Sequence, residues 1–388
     1  MDYASTTPIL PEVLSAMLKF SGNSFANPSS IYLEGLEAKK ALASAREKVA
    51  GILQVKPSEI IFTSGGTESD NLAILGLAPA MKKDGRIHII TTAIEHPAVL
   101  EPLKRLEEEG FEISYLPVSE KGIVEIKEVE KAVRPETGLI SVMQANNEIG
   151  AVQPIRQIGL LLKNLREKNE SKWPLFHTDS SQAANYLDVS PNAFGVDLMT
   201  LDGCKIYGPK GMGMLFVKRD TPLFPVILGG GQEGGLRSGT ENPSAALGFA
   251  EALYMAARDR KSESERLRAL RDRFFFRIEK ELPELRINGD KKLRLPNNIN
   301  VCLSAVRSKN MPNDGARGEF AVLQMDNLGI ACASVTACRG AKGYYSHVME
   351  AIGRPECASS SLRFTMGRGT TKGDVDRAVE ALKKIVRG

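Results

Sequence analysis

The chain has 388 residues, 42% of them hydrophobic and 25% charged, an ordinary globular composition with length enough for two domains. Its 51 basic and 47 acidic residues leave a net charge of +4, too mild an excess to mark a nucleic-acid surface, and no apolar run reaches the roughly 18 residues of a membrane span. The opening MDYASTTPIL lacks the basic-then-apolar order of a secretory signal, so a cytoplasmic location is expected, while five cysteines without a CxxC pair argue against a disulfide framework or a zinc site.

Residues 8–20 have helical apolar spacing, and Ser29-Ser30 offers an N-cap for a helical pattern running to about Leu53. Residues 59–63 (EIIFT) are the first clear strand, followed by Ser64-Gly65-Gly66-Thr67 and a helix through 72–77. Strands are then expected at 87–91, 112–116, 139–143, 175–178 and 197–201, with helices at 98–109, 124–133 and 155–166. This alternation predicts an α/β fold, a mostly parallel sheet sandwiched by helices. From 251 to 282 a charge-laced helical pattern breaks the rhythm. Strands at 285–288 and 299–303, a helix near 319–326 and another from Lys372 then read as a smaller α+β domain. The expected division is a large domain over 16–250 and a small one over 251–388. The polar, turn-rich stretch 308–317 reads as a mobile loop.

Several strand ends carry residues with chemical potential. Ser64-Gly65-Gly66-Thr67 aims backbone N–H groups, a hydroxyl and a helix dipole at one spot, which suits a phosphate and serves equally as a plain helix cap. Asp179, just past strand 175–178, either pairs with the protonated nitrogen of a pyridine-ring cofactor or caps the next helix. Lys205 lies in 201–213 (LDGCKIYGPKGMG), past a strand end where open α/β sheets bind ligands. Such a lysine is a Schiff-base nucleophile if desolvated and a surface residue if not. His96 either stacks on a ring or simply packs. A second glycine cluster, 229–234 (GGGQEG), matches GxGxxG in form, but a loop succeeds it where a dinucleotide site needs a helix, and that reading is rejected.

The segments GGTESDN, IEHPAV, QANNEIGAVQP, HTDSSQA, KIYGPKGMG, GGGQEGGLRSGTEN and SSSLRFTMGR, in that order, strongly resemble the cysteine desulfurases of the class V aminotransferase family. The resemblance runs from about Asp2 to the C-terminus. It implies the fold type I architecture of pyridoxal-phosphate-dependent transferases, with residues 1–15 packing against the small domain. It also implies pyridoxal 5′-phosphate as cofactor, a homodimer, and conversion of L-cysteine to L-alanine. By this resemblance Lys205 carries the cofactor, Asp179 partners its ring nitrogen, Gln182 donates to its ring oxygen, and His96 stacks on the ring and takes part in proton transfer. Gly66 and Thr67 hold the phosphate, and Thr240 reaches the phosphate of the neighbouring subunit. Asn147 lies near the ring oxygen and the substrate. Arg363 clamps the substrate carboxylate through its planar fork, with Asn27 nearby.

The resemblance also makes Cys338, in 333–340 (ASVTACRG), the nucleophile on a mobile loop, with Arg339 favouring its thiolate, whereas Cys332, in the apolar stretch 330–333 that reads as a strand, reads as a buried small hydrophobe. A persulfide on Cys338 then passes sulfur to an iron-sulfur scaffold or a tRNA-thiolation enzyme, with no direct contact to nucleic acid or membrane. One departure stands out: Asp202-Gly203-Cys204 replaces the family's common Ser-Gly-His, which sets an acid and a cysteine among the cofactor-binding positions, and an acid beside a phosphate dianion repels it. The alternatives are another fold type I enzyme, a selenocysteine lyase or aminotransferase tolerant of Cys338→Ser, or a cofactor-poor scaffold subunit.

Overall fold

The computed structural model describes residues 1–22, 24–306, 317–334 and 345–387. Helices α1 (Pro11–Leu18) and α2 (Leu33–Leu53) precede strand β1 (Ile60–Thr63) and helix α3 (Gly66–Lys83). Next come β2 (His88–Thr92), α4 (Pro97–Glu108), β3 (Glu112–Leu116), α5 (Ile126–Ala132), β4 (Thr137–Ser141), α6 (Ile155–Lys168), β5 (Leu175–Asp179), α7 (Pro191–Phe194), β6 (Leu198–Asp202) and β7 (Gly213–Val217). A 39-residue helix, α8 (Pro243–Glu281), leads to β8 (Arg286–Ile287), β9 (Asn298–Cys302), α9 (Arg317–Asn327), α10 (His347–Ala351), β10 (Ser361–Thr365) and α11 (Lys372–Arg387).

The large sheet has strand order β1-β7-β6-β5-β4-β2-β3, parallel except for β7, which runs antiparallel to both its neighbours. Apart from the edge strand β3, its strands are buried on both faces. Phe62, Ile90, Ile140, Phe176 and Met199 enter one core, while Ile61, Ile89, Leu139, Leu175 and Leu198 enter another, the period-two alternation of a sheet covered on each side. The carboxyl ends of β1, β2, β4, β5 and β6 therefore share one edge, where a ligand crevice belongs. The second sheet is antiparallel, in order β10-β9-β8, and sets Arg363 opposite Asn300.

The N-terminus ties the two sheets together. Asp2 bridges to Thr365, and Tyr3 N–H donates to the Thr365 carbonyl at 3.4 Å, while Thr7 N–H donates to the Cys204 carbonyl at 2.9 Å. Helices α1 and α2 both pack on α8.

Three expectations are corrected. Ser29 and Ser30 do not cap α2, which starts at Leu33 after Tyr32 with no side-chain cap. Residues 330–333 form only an isolated bridge at Ala333, paired with Arg363, although Cys332 is buried as expected. Finally, Cys302 and Cys357 form a disulfide with Cα atoms 5.4 Å apart. Their separation of 55 residues carries no local spacing signal, so the cysteine count alone pointed the wrong way. Residues 307–316, most of the expected mobile loop, lie outside the described residues.

Candidate active site

Strand ends converge on one cleft of about 240 Å³. Beyond β1 lie Gly66 and Thr67, beyond β2 His96, beyond β4 Asn147, beyond β5 Ser181 and Gln182, and beyond β6 Lys205. Asp179 and Asp202 are themselves the last residues of β5 and β6. Ala4 and Ser5 from the N-terminal segment and Arg363 from β10 also line it. All of these except Ala4, Ser5 and Ser181 are residues that the sequence singles out for the site.

The loop carrying Lys205 is pinned at successive peptides. Asp202 Oδ1 accepts the Cys204 N–H at 2.9 Å, Thr7 Oγ1 donates to the Cys204 carbonyl at 2.9 Å, and Asn185 Nδ2 donates to the Lys205 carbonyl at 2.7 Å. Tyr207 then adopts φ +64°, a left-handed conformation uncommon for a bulky residue, with its N–H donated to Thr7 Oγ1 at 2.7 Å. Such anchoring fixes where the amine can reach. Lys205 Nζ donates to the Ser5 carbonyl at 2.6 Å.

Asp179 accepts the Ser181 N–H at 2.9 Å. Two buried acids feel its charge, and one of them, Asp70, also lines the cleft. Burial pushes the Glu95 carboxyl up to about 8, the nearby Asp179 charge adding to the rise, and burial together with Asp179 drives Asp70 well above the usual carboxylate range. Glu95 therefore holds its proton at neutral pH. His177, packed between Ser141 Oγ at 2.9 Å and Thr200 Oγ1 at 3.2 Å, is pushed down to about 3 by burial and stays neutral.

His96 accepts the Ala98 N–H on Nδ1 at 3.1 Å, so in its neutral form the proton resides on Nε2. Burial lowers its pKa, with Lys205 and His347 assisting and Asp179 opposing. His347, from α10, donates Nε2–H to the Glu95 carbonyl at 2.9 Å and joins the small sheet's side of the molecule to this corner.

Arg363 is almost fully used. Nη1 donates to the Asn147 carbonyl at 3.1 Å, Nη2 donates to Asp2 Oδ1 at 3.0 Å and Ser5 Oγ at 2.9 Å, and Nε has no partner among the described residues. Burial alone would raise the Asp2 carboxyl, but Arg363 and Ser5 outweigh it and hold it below the usual range. Gln182 Nε2 is engaged by the Ala4 carbonyl at 3.0 Å.

Three expected residues stand apart from this cleft. Asn27 is exposed and its side chain accepts the Ser29 N–H at 2.9 Å. Thr240 is exposed, outside the wall. Cys204 lines a second cleft with Thr6, Lys210 and Gly211, and burial, aided by Asp202, pushes its thiol up to about 11. Cys338 and Arg339 lie outside the described residues. Sequence reading missed Ser5, Asp70, Glu95, Ser181 and His347. Ser181 sits two residues after Asp179 and so was open to inspection, whereas nothing near His347 in the chain points to a site.

Residues 1–378 match the aminotransferase class-V family. The chain is 42% identical to "Cysteine desulfurase IscS" of Dictyoglomus turgidum, covering all of this chain and 94% of that protein. It is 43% identical to the protein of the same name from Clostridium botulinum, with the same coverage. Among solved structures, a "NifS-like protein" superposes with TM-score 0.88 at 32% identity over 99% of this chain and 98% of that one. "SspA in complex with cysteine" does so with TM-score 0.77 at 34% identity, over 94% of this chain and 97% of that one.

Proposed function

The chain belongs to the aminotransferase class-V family, and from that premise we propose that it is a pyridoxal-phosphate-dependent cysteine desulfurase working through the residues of this cleft. The observation that carries the reading is the meeting of Lys205, Asp179 and Arg363 in one cleft at the carboxyl edge of the sheet. The cleft's residues fit the cofactor. Lys205 offers an amine, Asp179 a carboxylate, and the α3 N-terminus with Thr67 and the buried Ser181 hydroxyl, which has no hydrogen-bond partner among the described residues, offers donors to a phosphate.

Bound pyridoxal 5′-phosphate supplies an electron sink for the bonds at the substrate's Cα. Lys205 Nζ would hold the cofactor covalently and move a proton at the substrate's Cα. Asp179 would keep a ring nitrogen protonated. Neutral His96 would offer its Nε2–H to the bound group and the substrate. Arg363 would orient the substrate carboxylate, its Nε, which has no partner among the described residues, supplying a donor, while Asn147 and Gln182 would bound the ring-oxygen side.

The Cys338 thiolate then takes the substrate sulfur as a persulfide, and the carbon that loses it is protonated, so L-cysteine leaves as L-alanine. The broader reading includes a large unit over residues 16–250 and a small one over 251–388, a cytoplasmic location, and an iron-sulfur scaffold or tRNA-thiolation acceptor. It also includes a homodimer in which Thr240 serves the partner's phosphate. Strongly exposed Phe25, Ile31, Leu33 and Leu228 support an apolar face covered by a second copy. Purified protein given L-cysteine and a thiol reductant should release alanine and sulfide in equal amounts, and Cys338→Ser should abolish sulfide while retaining the bound-cofactor absorbance. A Cys338→Ser variant that keeps full turnover would favour another fold type I reaction.

A further inference from the structure

The amide that opens α3 is already taken. Gly66 N–H donates to Asp202 Oδ2 at 3.1 Å, while Asp202 Oδ1 holds the Cys204 N–H at 2.9 Å. One carboxylate thus satisfies an otherwise orphaned helix donor and caps the turn that carries Lys205. A Cβ at Gly66 would lie 3.1 Å from Ser181 Oγ and 3.2 Å from Asp202 Oδ2, so both oxygens converge on the space that glycine leaves open. Ser181 is 8% exposed and its hydroxyl has no hydrogen-bond partner among the described residues. An unused buried donor, a helix N-terminus and Thr67 in one wall make an anion cradle. The chain places its own anion there.

Lys205 and Lys210, cations that line the same clefts, form no ion pair with Asp202 among the described residues, and Lys205 Nζ is held by the Ser5 carbonyl. Glu68, in the second cleft's wall, is engaged by Arg237 at 2.8 Å, whereas Asp202 has no ion-pair partner among the described residues. Gly66, Thr67 and Asp202 line both the main cleft and the second one, so Asp202 stands at the junction of the two.

We propose that Asp202 is the resident anion of this cradle and sets the protein's preference between phosphorylated and unphosphorylated pyridoxal, weakening its hold on the phosphate. A phosphate seated on the α3 N-terminus either shares the Gly66 amide with a fixed negative charge or displaces it, and both cost affinity. The hydroxymethyl group of pyridoxal, in contrast, donates a hydrogen bond to that carboxylate. The inference rests on reading Lys205 as the cofactor's covalent anchor.

The test strips the full chain of cofactor and titrates it with pyridoxal 5′-phosphate and with pyridoxal, following the absorbance of the Lys205-bound chromophore. Asp202→Ser and Asp202→Asn each tighten binding of the phosphorylated form about tenfold or more, while pyridoxal affinity changes less than about threefold. Unchanged or weaker binding of the phosphorylated form in both variants overturns the proposal. Should neither variant fold, the wild-type protein decides: a preference for the phosphorylated form below about tenfold supports the role of Asp202, and a larger one overturns it. A wild-type protein that takes up neither compound, as Lys205→Ala should, refutes the anchor reading itself and is distinguishable from failure of the Asp202 proposal.

Discussion

Arg363 Nη2 lies 3.0 Å from Asp2 Oδ1 and 2.9 Å from Ser5 Oγ, and the Ser5 carbonyl accepts the Lys205 amine at 2.6 Å. The N-terminal segment therefore spans the gap between the guanidinium and the amine. Lysine cannot reproduce the planar fork that serves Asn147, Asp2 and Ser5 together. Arg363→Lys is expected to raise KM for L-cysteine about tenfold or more with the cofactor absorbance intact, read by steady-state kinetics.

The same pair predicts a stability effect. Asp2→Ala leaves a largely buried guanidinium without its counter-charge, and urea unfolding should show a loss of about 3 kcal/mol. A loss within 0.5 kcal/mol, roughly that of an ordinary surface substitution, would mean that the remaining partners suffice.

Much of this arrangement was legible from sequence because β5 and β6 are short strands that end in Asp179 and Asp202, with Lys205 three residues further on. Strand β7 was not legible: its run GMLFV comes after the glycine turn that had claimed attention, and only the sheet shows that it inserts antiparallel between β1 and β6. Gly213 permits that insertion, since a Cβ there would fall 2.7 Å from the Gly65 backbone. Asp202 was legible as a charge conflict, but its grip on the Gly66 amide is a contact 136 residues away in the chain. Ser5 binds the Lys205 amine through its carbonyl, a backbone group no residue type announces.

Glu95 gives a pH prediction. Its carboxyl, raised by burial to about 8 from 4.5, keeps a proton in the folded protein that the unfolded chain releases. The contribution is complete below about 4.5 and is lost as pH rises toward 8, at up to about 1.4 kcal/mol per pH unit. Between pH 5 and 8, Glu95→Gln should lack this downward slope in urea-unfolding stability. Parallel curves for the two proteins would contradict it.

The buried imidazoles act in the opposite direction. His88 and His177, pushed by burial down to about 4 and about 3, stay neutral in the fold, so their stability is present above about 6.5 and lost as pH falls through those values. His177→Asn should shift the acid-unfolding midpoint, followed by far-UV circular dichroism, to lower pH; an unmoved midpoint would remove His177 from the acid limit.

The disulfide between Cys302 and Cys357 closes a 55-residue separation beside β9 and the approach to β10, the strand of Arg363. Cys302→Ser with Cys357→Ser should lower unfolding stability by about 2–4 kcal/mol, read by urea denaturation without reductant. Thiol titration of the unreduced, denatured protein should count three cysteines of the five, and a count of five would contradict the bond.

The most direct measurement assays alanine and sulfide from L-cysteine for the wild-type protein and Lys205→Ala, with the visible spectrum of each recorded in the same samples. The account predicts a cofactor band and equal yields of both products for the wild type, and loss of the band with at least a roughly thousandfold slower reaction for the variant. A Lys205→Ala protein that still turns over L-cysteine at the wild-type rate would contradict it.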